Sequence, residues 1–146
     1  MHTSINLPLG DDTFKFKLGP TEFAALESGG PHPDGNAWDR NRRPILIGEA
    51  YARILQGRAI IEGKNEGVPG YAAFSATELD TIIVMGLLGG GGSTDGQITW
   101  KEYDVYAWMK RDVYPLPLVD RWRMAFLILS ACVEGIPYDV YQRTAA

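Results

Sequence analysis

Residues 75–92 read SATELDTIIVMGLLGGGG, and their reading sets the fold class. Leu79, Ile82, Ile83, Gly86 and Leu87 fall on one face at helical spacing. Ser75 opens the segment with a capping box: its hydroxyl can accept from the backbone amide of Glu78, whose carboxylate reaches back. Four consecutive glycines then end the helix.

Working toward the C-terminus, Thr99 and Glu102 offer a second capping box for the pattern WKEYDVYAWMKRDVY. Pro115 and Pro117 break that helix and prepare a last one over about 118–134, with Gly135 as its stop. The run MAFLILSACV is apolar on every side, which predicts the central helix of the core. Toward the N-terminus, IGEAYARILQG sets Ile47, Tyr51, Ile54 and Leu55 on one side, and Gly57 is its expected stop. TEFAALES predicts a short helix with Pro20 in its first turn and Gly29-Gly30 beyond its end. TFKFKL alternates Phe14, Phe16 and Leu18 with Thr13, Lys15 and Lys17, the two-residue period of a half-buried strand. A turn at Gly10-Asp11 returns it against INLPL, where Pro8 marks an edge.

Stretches 29–44 and 63–74 have no period and read as long loops. No internal repeat is visible. The sum is a mainly α protein, a small helical domain with an N-terminal β-hairpin. It divides into a hairpin at 1–19, a helical core at 20–135 and a C-terminal tail at 136–146.

Composition narrows the function classes. At 146 residues, with 45% hydrophobic and 22% charged, the chain can bury a core without staples. A net charge of −4 weighs against a protein built to hold nucleic acid. One cysteine excludes a disulfide framework and a thiolate metal cluster. The N-terminus lacks a signal-peptide pattern, and the longest apolar run has half the length of a membrane span, so a cytoplasmic domain is expected.

Several motifs invite chemistry. GGSTDGQITWKE, residues 91–102, matches a calcium loop at Ser93, Asp95, Gly96, Ile98 and Glu102. Gly91 stands where the first carboxylate belongs, so an aspartyl turn followed by a helix cap explains the same letters. The glycine run is not followed by the lysine of a phosphate loop, and no strand precedes it. RNRR at 40–43 is diluted by Asp34 and Asp39 and reads as a solvated loop. His2 and His32 lie in segments where packing would not orient them. Cys132 sits at helical spacing with Ile128 and Leu129, as a buried thiol does. No catalytic constellation emerges, and neither a metal nor another cofactor is expected.

Trp108 stands out on geometry. On a wheel for residues 100–114, Tyr103, Tyr106, Ala107, Met109 and Val113 share an apolar arc. Trp108 falls opposite them, among Lys101, Asp104, Arg111 and Asp112. An indole on a charged face is either tucked under a neighbouring segment or offered to a partner. Trp108, Asp104 and Arg111 are therefore the candidate partner-binding residues.

Taken in order, TFKFKL with FAALES, PILIGEAYARILQGR, ATELDTIIVMGLLGGGG, DVYPLPLVDRW and MAFLILSACVEG form a recognisable series over 13–135. The chain resembles the small tail assembly protein of gene transfer agents and related tailed phages. That family is described either as a tail assembly chaperone or as a tail tube protein. Relative to its pattern, the loops at 29–44 and 63–74 are long and DGQ enlarges the junction after the glycines.

The resemblance implies a non-enzymatic role: coating the tape-measure protein, keeping its apolar helices soluble and yielding to the tail tube protein as the tube polymerises. It implies these two partners, no nucleic acid and no membrane, and is compatible with a homo-oligomer. One alternative is a permanent tube or tube-end component of the particle, which would place the chain in the virion tail. Another is a calcium-binding, EF-hand-like interaction domain.

Overall fold

The computed structural model describes residues 2–29, 44–61, 74–98 and 102–136. Strands β1 (Ser4–Leu9) and β2 (Asp12–Lys17) are followed by helices α1 (Pro20–Glu27), α2 (Ile47–Ile61) and α3 (Ala76–Gly90). Helix α4 (Glu102–Trp108) passes directly into a π-helical stretch, Met109–Val113, and α5 (Leu118–Val133) completes the order. The architecture is the mainly α domain with a hairpin expected from the sequence.

The hairpin is antiparallel, with Ile5 opposite Phe16, Leu7 opposite Phe14 and Leu9 opposite Asp12. Gly10 adopts φ 65° at the first of the two loop positions, where glycine is the usual residue of a type II′ turn. Phe14 and Phe16 are fully buried, as their alternation predicts. β2 lies on α3, and β1 lies against α5.

Helix α3, not α5, is the central helix. Every residue from Leu79 to Leu87 is buried, and α3 touches β2, α1, α4 and α5. Each fully buried aliphatic side chain contributes roughly 1.5–3 kcal/mol, and α3 supplies five of them in Leu79, Ile82, Ile83, Val84 and Leu87. The second half of α5 is apolar all round and less deeply enclosed: Ala125, Ile128, Leu129 and Ala131 are buried, Met124, Phe126, Leu127 and Cys132 are half-buried against the core, and Val133 is 44% exposed. All-round apolarity does mark a helix packed by four elements, α2, α3, β1 and β2; α3 is enclosed more completely.

The glycine run is also more than a stop. Only Gly91 ends α3, with φ 83° and its N–H bonded to the Leu87 carbonyl at 3.2 Å. Gly89 and Gly90 are inside the helix. A Cβ on Gly90 would lie 1.7 Å from the Lys15 carbonyl oxygen, and one on Gly89 would lie 1.9 Å from that of Lys17. The last turn of α3 therefore rests backbone to backbone on β2. Gly86 continues the narrow face, fitting between Phe16 and Ile128.

Two other expectations change. Helix α2 continues through Gly57 to Ile61, since a single glycine weakens a helix by only about 1 kcal/mol. The Ser75 cap is half made: its hydroxyl accepts from the Glu78 amide at 3.1 Å. The Glu78 carboxylate accepts from the Ser75 hydroxyl at a long 3.5 Å and is held mainly by Arg53 of α2, at 2.6 Å. A second cross-helix ion pair joins Arg121 of α5 to both oxygens of Asp80 in α3, at 3.1 and 2.9 Å. The Tyr51 hydroxyl of α2 donates to Glu134 at the end of α5. The proposed capping by Thr99 and Glu102 lies outside the described residues, as do the segments 30–43 and 62–73 and the tail beyond 136.

Candidate functional site

The candidate partner-binding residues sit where α4 changes pitch. From Trp108 onward the turns widen, and the Tyr114 amide bonds the Met109 carbonyl five residues back at 2.9 Å. Val105, Met109 and Val113 are all fully buried at four-residue spacing, with Tyr106 beside them. Met109 and Val113 are buried as the wheel places them. Its two misses fall earlier, in regular α4: Val105, one turn before Met109, belongs on the apolar arc, and Ala107, placed on that arc, is exposed.

Trp108 is half-buried. Its ring meets Phe14 of the hairpin edge-on, with centroids 5.0 Å apart, and the Arg111 guanidinium lies 3.8 Å over its face. Arg111 also donates from Nε and Nη2 to one Asp112 oxygen, at 2.9 and 2.7 Å. Asp112 packs at the hairpin tip, where a Cβ on Gly10 would come within 3.1 Å of its carboxylate. The Arg111 pKa is raised above its ordinary value, first by this hydrogen bond, against some desolvation, then by the charges of Asp112, Asp11 and Asp12. Trp108 and Arg111 are thus brought together as a cation–π pair. The Asp104 side chain lies outside the described residues.

Residues 92–98 are bound up with their own backbone and with β2. The Lys15 amide donates to the Gly92 carbonyl at 3.2 Å, and the Thr94 amide donates to the Thr13 carbonyl at 2.9 Å. The Ser93 hydroxyl donates to Asp95 Oδ1 at 2.6 Å and accepts from the Ile98 amide at 2.9 Å. Asp95 Oδ1 also accepts from the Gln97 amide at 2.9 Å. The Ser93 hydrogen bond and then the Gln97 amide hold the Asp95 carboxyl below its ordinary pKa. Asp95 is therefore engaged in an aspartyl turn, with Gly96 at φ 76°. The Glu102 side chain is outside the described residues, among which no group of three or more His, Cys, Asp or Glu is placed to hold a metal.

The remaining candidates are dispersed. Cys132 is half-buried, its thiol donates to the Leu129 carbonyl at 3.3 Å, and burial pushes its pKa up to about 11. His2 exchanges both backbone hydrogen bonds with Ile136, at 2.9 and 2.7 Å. His32 and RNRR fall outside the described residues. No helix among the described residues is long and apolar enough to cross a membrane.

Two features escaped the sequence reading. A groove of about 680 Å³ lies between the starts of α2 and α3, lined by Pro44, Leu46, Glu49, Arg53, Thr77 and Glu78. Its depth depends on how two helices distant in sequence approach, which no local pattern reports. The other is Val133 near the end of α5, 44% exposed on a helix whose other apolar residues are buried or half-buried. Compared with known proteins, the chain has no significant match to a family model, a curated protein or a solved structure.

Proposed function

We propose that the chain is a tail assembly chaperone of a phage or gene transfer agent. It binds the tape-measure protein, keeps that protein's apolar helices soluble, and releases it as the tube polymerises. The reading is non-enzymatic and places the work in the cytoplasm of the host cell.

The observation that supports it most is where the resemblance falls in the fold. ATELDTIIVMGLLGGGG, the most distinctive shared stretch, forms α3 and its cap, and its glycines seat that helix on β2. The other shared stretches supply β2, α1, α2 and α5 around it. The resemblance thus consists of the residues that specify the core, which is where kinship of fold resides.

A permanent tube subunit is favoured less. A shared barrel needs long strands, and the sheet among the described residues has two strands of six residues. Co-expression with the tape-measure protein of the same system tests the proposal: its soluble yield should rise, and it should be pulled down with this chain. An unchanged yield and an empty pull-down across several salt concentrations would remove the proposal. In purified particles, mass spectrometry should find this chain depleted; stoichiometric amounts would favour the tube component.

A further inference from the structure

Of the three long helices, α2 is the least embedded. It packs on α5 and more lightly on α1, whereas α3 touches β2, α1, α4 and α5. Its core-facing side is one narrow seam: Ile47, Ala50, Tyr51 and Ile54 are buried, at the three- and four-residue steps by which one helix meets another. Gly48, Ala52 and Leu55, on the other side, are exposed. Toward α3 the helix stands off. The groove of about 680 Å³ opens between the two helix starts. Arg53 reaches across to the Glu78 carboxylate at 2.6 and 3.3 Å, with the two side chains 30% and 29% exposed, and lies 4.6 Å over the Phe74 ring. Near the end of α5, the Tyr51 hydroxyl donates to Glu134. Part-exposed contacts of this kind exchange with water at modest net cost, so the buried seam is what chiefly retains the helix. On the N-terminal side the Ile45 amide is bonded to the Leu26 carbonyl at 2.9 Å, which puts the pivot at Leu46. Residues 62–73 follow α2, and at up to about 3.5 Å each they are long enough for it to leave its seat with α3 in place.

We infer that α2 is a displaceable cover, and that the seam beneath it receives an apolar helix of the tape-measure protein in its place. The choice of partner rests on the tail-assembly reading above. What sits on the seam now sets the shape of the occupant. A seat filled by one α-helix accepts another that repeats apolar residues at three- and four-residue steps, as Ile47, Ala50, Tyr51 and Ile54 do. A second copy of the chain is a poorer occupant. It offers the same helix only by taking it from an identical seat, so no contact is gained to offset the freedom lost on association. Displacement also provides for release. With no partner present, α2 hides the apolar seam from water and from other proteins. A partner's affinity is reduced by the fraction of molecules in which α2 is displaced. Tethered to the same chain, α2 competes for its seat throughout.

Amide hydrogen exchange of the full chain tests the cover with no partner present. Amides of residues 54–57 in α2 should exchange at least about a hundredfold faster than those of 83–87 in α3, as a unit that opens on its own does. Equal rates would mean that α2 opens only when the whole protein unfolds, and would overturn the inference while leaving the chaperone reading intact. Tyr51→Phe and Glu78→Gln loosen α2 and touch none of the buried aliphatic side chains. Two probes read the result: a fluorescently labelled synthetic peptide with the sequence of residues 47–61, and the co-expressed tape-measure protein. Both variants should bind the peptide about fivefold or more tightly than the parent chain, because the displaced fraction rises. Both should also retain more tape-measure protein in a pull-down. Unchanged or weaker peptide binding by both variants overturns the inference, since a partner seated anywhere else gains nothing when α2 is loosened. Tighter peptide binding with no tape-measure protein retained removes the chaperone reading and its helix as occupant, and leaves the displaceable cover standing. A dimer in light scattering, formed more readily by both variants, would give the seat to α2 of a second copy and overturn the proposal.

Discussion

Gly90→Ala reverses sign depending on what the glycine is for. If Gly90 were simply a weak helix residue near a stop, alanine would raise helix propensity and stabilise the protein by up to about 1 kcal/mol. The structure requires the opposite. The new Cβ would sit 1.7 Å from the Lys15 carbonyl oxygen and 2.5 Å from its carbon. Carbon and oxygen come no closer than about 3.3 Å even in weak C–H···O contacts, so α3 and β2 must separate by well over 1 Å. Both sides of the contact are backbone, so no side chain can swing aside. Overpacking of this kind costs typically 1–3 kcal/mol and occasionally more. The shift also strains the Lys15–Gly92 and Thr94–Thr13 hydrogen bonds, at 3.2 and 2.9 Å, each contributing about 1 kcal/mol. Offset by the propensity gain, the net loss is roughly 2–4 kcal/mol, or about 5–15 °C at 2–4 °C per kcal/mol for a chain near this size. Thermal and urea unfolding followed by circular dichroism measure it directly. Gly48→Ala is the control: nothing lies within 4 Å of its Cβ position, and it should be neutral or stabilising by up to about 1 kcal/mol. A Gly90→Ala protein as stable as the parent, or more so, would refute the close packing of α3 on β2.

Trp108→Ala should lower stability by about 2–3 kcal/mol, under the 3–5 usual for a fully buried aromatic because this indole is half-buried; no loss in urea unfolding would mean the ring is not packed on Phe14. Asp80→Ala strands Arg121, whose side chain is only 15% exposed, and should cost about 3 kcal/mol. The double change Asp80→Leu with Arg121→Met should restore most of that loss, and a double variant no better than the single would refute the pairing. Burial lifts the Cys132 thiol from 9.0 to about 11, so at pH 8 it should alkylate much more slowly with iodoacetamide than the unfolded chain does. Because the folded pKa lies above the unfolded one, the stability from this thiol is complete below pH 9 and fades as pH rises toward 11. A Cys132→Ala variant should show a shallower loss there.

Local patterns carried the hairpin, the helices and most boundaries, because each rests on one short-range rule. Phe14 and Phe16 alternate, Gly10 turns the chain, Ser75 caps α3, and Pro117 precedes α5. What escaped the pattern depends on long-range fit. Gly89 and Gly90 look like punctuation until the Lys15 and Lys17 carbonyls are placed beneath them. The wheel's two misses, Val105 and Ala107, lie in regular α4, where Ala107 falls at the edge of the arc and Val105 stacks one turn before Met109. At the candidate site, the nearness of Trp108 and Arg111 follows from three-residue spacing, whereas Phe14 under the indole comes from ninety residues upstream and could not be read locally.

The seating of β2 on the end of α3 also has a consequence for the order of events during synthesis. The hairpin is complete once Lys17 is made, yet a two-stranded hairpin is marginal in water without something beneath it. Its support arrives with Gly90, 73 residues later by the numbering. At about 5–20 residues per second the ribosome needs roughly 4–15 s to make that stretch. Through that interval Phe14, Phe16 and Leu18 have no helix to cover them, and the nascent chain depends on whatever else in the cell will shelter an apolar strand pair.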